Sequence, residues 1–106
     1  MNLHTLHQAL GIVKDVTKDK NLVMHHLQMV IFIGNHRSVT YQQIQEEFDL
    51  SNAAASRSAN ALCDTARHRQ NPYGLVQIYR DPHEGRRYRL ALSPKGLHLY
   101  EQLEVL

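Results

Sequence analysis

Two short helical patterns meet through Asp49 and Leu50, and this junction constrains the fold more than any other feature of the chain. The first begins with Thr40 and Gln43 at capping-box spacing, where hydroxyl and side-chain amide satisfy each other's otherwise unpaired backbone N–H groups. Its residues YQQIQEEF place Tyr41, Ile44 and Phe48 on one face and leave Glu46 and Glu47 outside. Ser51 or Asn52 can cap the second helix, predicted to run through Ala53, Arg57 and Leu62 toward Ala66. Its inward positions are Ala55, Ala59 and Leu62. Its outer face carries Asn52, Ala53, Ser56, Arg57 and Asn60, which are polar or small and let another molecule approach closely.

The flanking patterns complete an order of elements. Leu3, Leu6, Leu10, Val13 and Thr17 recur every three or four residues, the stripe of an amphipathic helix, with Lys14, Asp15 and Lys18 facing away. A helix capped at Asn21 is predicted to run through LVMHHLQMVIFI and stop at Gly34-Asn35. It is apolar around much of its circumference, as a central core helix should be. Ser38-Val39-Thr40 reads as a short extended link. After the breakers Asn71, Pro72 and Gly74, a strand is predicted over Leu75 to Tyr79, a turn over Asp81 to Gly85, and a second strand over Tyr88 to Leu92. Ser93-Pro94 starts a last helix with Leu97, Tyr100 and Leu103 as its apolar row.

Helix, helix, link, helix, turn, helix, hairpin, helix is the order of a winged helix-turn-helix, so the expected fold is mainly α with a small β-hairpin (α+β). At 106 residues a single domain is expected over 1–106. Within it, 1–18 forms the N-terminal helix, a possible dimerisation element, 39–69 the helix-turn-helix, 74–92 the wing hairpin and 94–106 the C-terminal helix.

Charge is unevenly placed. Residues 1–50 carry four basic and five acidic side chains, whereas residues 51–95 carry eight basic against three acidic, and seven of those eight are arginine. Arginine's planar fork suits bidentate contact with phosphates and guanine edges, so a polyanion would dock on this segment. The competing reading is a solvated face.

The stretch from Val39 to Leu103 resembles the MarR-type multiple-antibiotic-resistance regulators. The resemblance is carried by Thr40, Leu50-Ser51, Ser56-Arg57, Gly74-Leu75-Val76, Asp81-Pro82, Gly85-Arg86-Arg87 and Leu92-Ser93-Pro94-Lys95-Gly96, in that order and spacing. It implies double-stranded DNA as partner, with the recognition helix in the major groove and a wing arginine in an adjacent minor groove. The residues here permit that mechanism. Ser51, Asn52 and Ser56 can hydrogen-bond phosphates or base edges, Asn60 can contact a phosphate, Arg57 can bind guanine, and Ala53 and Ala54 can touch thymine methyls. In the wing, Arg86 or Arg87 can enter a narrow, electronegative minor groove with Asp81 pairing one of them, while Arg80 and Arg89 meet phosphate. Ser51 also has the plainer role of a helix cap, and Asn60 that of a surface residue.

The family's usual members are longer and end in a further helix that builds their dimer interface. Here a homodimer is expected from the N-terminal stripe together with Leu97, Tyr100, Leu103 and Leu106, because one winged helix covers only a short half-site. The segment Asp64 to Tyr73, carrying Arg67 and Arg69, is longer than the family's link. Small aromatic ligands bind at the family's dimer junction, but no obligatory ligand or cofactor is expected, and a small-molecule effector has no support in these residues.

Other functions find less support. No Cys-x-x-Cys or His-Glu-x-x-His accompanies the eight histidines, so no metal site is expected. Cys63 reads as a packed small residue rather than a redox sensor. Glycine-rich phosphate loop, nucleophile elbow and contrasting carboxylate pair are all missing, so an enzyme is not expected. The apolar run that contains Val30 to Ile33 is far short of a membrane span, and the N-terminus lacks a signal-peptide pattern. A cytoplasmic, nucleoid-associated protein is therefore expected, with a winged helix that binds protein instead of DNA as the alternative.

Overall fold

Asn2 accepts a hydrogen bond from the Thr5 amide at 2.8 Å and so caps α1 (Leu3–Thr17), which ends at Lys18 in the left-handed conformation. The structure, a computed structural model, describes residues 2–63, 73–85 and 87–106. Only the C-terminal half of the α1 stripe is used within the chain. Val13 and Thr17 are buried, but Leu3, Leu6 and Leu10 remain 82%, 41% and 51% exposed.

The next helix, α2 (Met24–His36), supplies the buried residues Met29, Val30 and Ile33. It differs from expectation at both ends. Asn21 is not its cap, because the Asn21 amide is bonded to the Asp19 carboxylate in the preceding turn, and the helix starts at Val23 with no side-chain cap. Nor do Gly34 and Asn35 stop it. A methyl group on Gly34 would overlap the ring of Tyr100, so this glycine permits a close helix contact, and the chain turns only at Arg37, with φ 67°.

The segment Ser38–Thr40 is a strand, β1, rather than a free link. It pairs antiparallel with β3 (Tyr88–Leu92), which pairs antiparallel with β2 (Val76–Arg80), giving the order β1-β3-β2. Val39 and Ile78 both stand opposite Leu90, so one face of the sheet is centred on a fully buried leucine. The sheet thereby attaches the wing to the start of the helix-turn-helix.

Thr40 then caps α3 (Tyr41–Phe48): its hydroxyl accepts from the Gln43 amide at 3.2 Å, and the Gln43 side chain accepts from the Thr40 amide at 2.8 Å. Asp49, with φ 52°, reverses the chain. Ser51 caps α4 (Asn52–Leu62) by accepting from the Ala54 amide at 3.1 Å. Ala55, Ala59 and Leu62 are completely buried. The helix does not continue unbroken toward Ala66, because Cys63 is already extended and forms a bridge with Val76. Residues 64–66, with Arg67 and Arg69, lie outside the described residues.

The last helix, α5 (Pro94–Glu104), is capped by Ser93 and has proline in its first turn. Its buried residues are Gly96 and Leu99, with Leu103 packed against the core, whereas Leu97 of the expected row is half exposed. The inward row runs Gly96, Leu99, Leu103, and a glycine does not announce itself as an apolar position. Met29, Ile33, Ile44, Leu62, Leu75, Leu90 and Leu99 are completely buried and join the helices to the sheet.

Candidate nucleic-acid interface

The buried alanines of α4 fix its rotation. With Ala55 and Ala59 against the core, Asn52, Ala53, Arg57 and Asn60 are exposed and Ser56 is half-buried. Alanines on the inner face also let α4 sit close to α3, and Gln45 on α3 donates to the Asn52 side chain at 3.3 Å. Ser51 is exposed and its oxygen is occupied in capping, which leaves its O–H as a donor. Arg57 pairs with no carboxylate among the described residues, so its guanidinium is available to an incoming group.

Beside this face lies a groove of about 510 Å³, lined by Tyr41, Asn52, Ala53, Ser56 and Asn60 on the helix side and by Ile78 and Tyr88 on the wing strands. Helix α4 and the wing strands thus border one open surface. Tyr41, Ile78 and Tyr88 were not among the site residues that the sequence suggests. Tyr88 falls on the same alternating face as Leu90 and Leu92, and Tyr41 on the inner face of α3, so apolar patterning hides their second role. Burial, with smaller contributions from Cys63 and Tyr88, raises the Tyr41 phenol above its ordinary range.

The wing is built differently from expectation. Among the described residues Asp81 pairs with Arg89, at 3.4 Å, and not with Arg87. One Asp81 oxygen accepts from the amides of His83 and Glu84 at 2.8 and 3.3 Å, and the other accepts from Arg89. The His83 amide above all, then that of Glu84 and the Arg89 guanidinium, hold the Asp81 carboxyl below the usual carboxylate range against an opposing desolvation effect. Arg89 also donates to the Ser38 hydroxyl at 3.1 Å and to the Ser38 carbonyl at 3.5 Å. Its side chain is 27% exposed, and each of its three nitrogens has a partner within the protein, Ser38 or Asp81.

Arg87 is 53% exposed and forms only a surface pair with Glu84, at 3.3 Å. Such pairs contribute about 0–1 kcal/mol, too little to keep Arg87 from a polyanion. Arg80 is exposed, its guanidinium 5.7 Å from the centre of the Tyr88 ring. Arg86 lies outside the described residues.

Among the described residues no group of three or more histidine, cysteine or carboxylate side chains could hold a metal ion, and Cys63 is buried. No helix there is long and apolar enough to cross a membrane.

No protein-family model matches the chain, and no curated protein is recognisably similar to it in sequence. Solved structures are similar in shape. Escherichia coli MarR, as a mutant complexed with operator DNA, covers 97% of this chain at a TM-score of 0.65 and 14% identity. The fold is that of the MarR-type winged-helix regulators. The RV1404 structure from Mycobacterium tuberculosis superposes with a TM-score of 0.73, covering 96% of the chain at 15% identity. FabT of Streptococcus pneumoniae in complex with DNA covers 96% at a TM-score of 0.67 and 18% identity. Measured against these three proteins, the chain spans 68%, 63% and 68% of their respective lengths.

Proposed function

We propose that this protein is a sequence-specific, double-stranded DNA-binding transcriptional regulator that works as a two-fold pair, cytoplasmic and nucleoid-associated. The observation that carries the reading is the shared groove: the small polar face of α4 and the strands of the arginine-bearing wing border one surface. Two of the similar structures were determined with DNA bound, which supports the same use of the fold.

In this mechanism α4 enters the major groove. Ala53 allows close approach, Asn52 and Ser56 hydrogen-bond base edges or phosphates, Arg57 takes a guanine bidentately, and Ser51 and Asn60 hold phosphates. The wing follows the backbone to the neighbouring minor groove, where Arg86 or Arg87 is drawn by the negative potential and Arg80 meets phosphate. Two copies related by a two-fold axis double the half-site. The exposed leucines of α1, which packs against α5, are the apolar surface that such a pair would bury.

Titration of a fluorescent random-sequence duplex across a salt series tests this reading. Each neutralised phosphate adds about 0.9 to the negative slope of log affinity against log salt, so several contacts give about a thousandfold weakening between 50 and 200 mM. Negligible affinity at low salt would contradict the proposal and favour a protein-binding winged helix.

A further inference from the structure

Arg89 stands in the middle strand of the sheet, with Thr40 opposite on β1 and Tyr79 opposite on β2. Its guanidinium reaches in both directions. On one side it donates to the hydroxyl and carbonyl of Ser38, two residues before the cap of α3. On the other it bonds Asp81, the residue that organises the wing turn through the amides of His83 and Glu84. The Asp81 amide in turn donates to the Arg87 carbonyl at 2.8 Å, closing the root of the turn. One planar group thus joins the edge strand that leads into the helix-turn-helix to the strand that launches the wing.

We propose that Arg89 is a positioning residue: its clamp between Ser38 and Asp81 sets the angle of the wing relative to α4, and it does not itself grip phosphate. The proposal rests on the reading of α4 and the wing as a DNA interface. A two-stranded ribbon is otherwise free to twist at its root, and the clamp pre-organises it, so that less ordering is left to the moment of binding. The geometry requires arginine. A lysine ammonium carries the same charge but lacks the fork that spans both partners.

The test uses Arg89→Lys, Arg89→Ala and Ser38→Ala, the last removing one acceptor without altering charge. In the protein without DNA, hydrogen exchange at the Asp81 and Arg87 amides should quicken in all three, most in Arg89→Ala, while exchange at Leu99 in α5 stays as in wild type. On a duplex selected in vitro with the wild-type protein, Arg89→Lys and Arg89→Ala should both bind about tenfold more weakly, the equivalent of one charged hydrogen bond. The salt slope should stay unchanged. At saturating protein, hydroxyl-radical protection should fade at the flanks of the site and persist at its centre, a pattern that a uniform loss of stability would not give.

A slope reduced by about 0.9 in Arg89→Ala and restored in Arg89→Lys would overturn the proposal, because Arg89 would then be a phosphate contact. Unchanged exchange at the wing root in all the variants would overturn it as well. Should Arg89→Ala fail to fold, Arg89→Lys and Ser38→Ala decide the matter. Absence of DNA binding by the wild-type protein would contradict the DNA reading instead, and the exchange comparison alone would then decide the clamp.

Discussion

Gly96 lies against the backbone carbonyl of Leu75, so close that a methyl group on its Cα would overlap that oxygen. The same carbonyl accepts from the Ser93 amide at 3.0 Å, and Ser93 caps α5 through the Gly96 amide at 3.0 Å. The last helix is therefore seated on the residue that leads into β2 and the wing. Because the obstacle is backbone, Gly96→Ala cannot be relieved by a rotamer change and should destabilise the protein by about 2–3 kcal/mol, the upper part of the overpacking range. Urea unfolding measures it. A loss below about 0.5 kcal/mol would mean that α5 sits further from Leu75.

Thr40 ends β1 and begins α3, so its capping box is where sheet and helix-turn-helix join. Thr40→Ala should cost about 1 kcal/mol, the usual value of a lost cap, and Thr40→Ser should recover most of it. Equal losses in the two variants by chemical denaturation would show that the methyl group, and not the hydroxyl, matters at this position.

The Asp81 carboxyl is held below its ordinary pKa by the His83 and Glu84 amides and by Arg89. A depressed acid stabilises the folded state when charged. The contribution is fully present above the unfolded carboxylate range near pH 4 and disappears as pH falls through the lower folded value. The difference in melting temperature between wild type and Asp81→Asn should thus be constant from pH 5 to 8 and shrink below pH 4. A difference that grows toward acid would reverse the sign of this assignment.

Leu6 and Leu10 are exposed on α1, the helix that packs against α5, and belong to the apolar surface that the proposed pair would bury. The double substitution Leu6→Glu, Leu10→Glu should convert a dimer to a monomer at micromolar concentration in light scattering while leaving the helix content unchanged. A wild-type monomer at that concentration would contradict the two-fold pair.

The local signals were legible in the sequence. The Thr40-Gln43 capping box, the Ser51 cap, the inward alanines of α4 and the bounds of the strand Tyr88 to Leu92 each depend on neighbours within a few residues, and each lies where the pattern places it, although Tyr88 of that strand is exposed. What the sequence concealed depends on partners far along the chain. Three residues at 38–40 cannot show alternation, so β1 emerges only from its pairing with β3. Gly34 reads as a helix stop but lies under Tyr100, whose hydroxyl donates to Asn35 at 2.7 Å. In the candidate interface, the outward row of α4 was readable because burial of Ala55 and Ala59 dictates it. The wing arginines were not separable, since nothing local distinguishes the tethered Arg89 from the exposed Arg87.

Backbone amide spectra of the labelled protein, recorded with and without a duplex at low salt, test the interface most directly. Shifts concentrated at Ser51, Asn52, Ala53, Ser56, Arg57 and Asn60 and along the wing from Arg80 to Arg89, and weakened in Arg57→Ala, are the expected result. Shifts confined to the opposite face, or none at saturating duplex, would contradict a helix and wing that straddle DNA together.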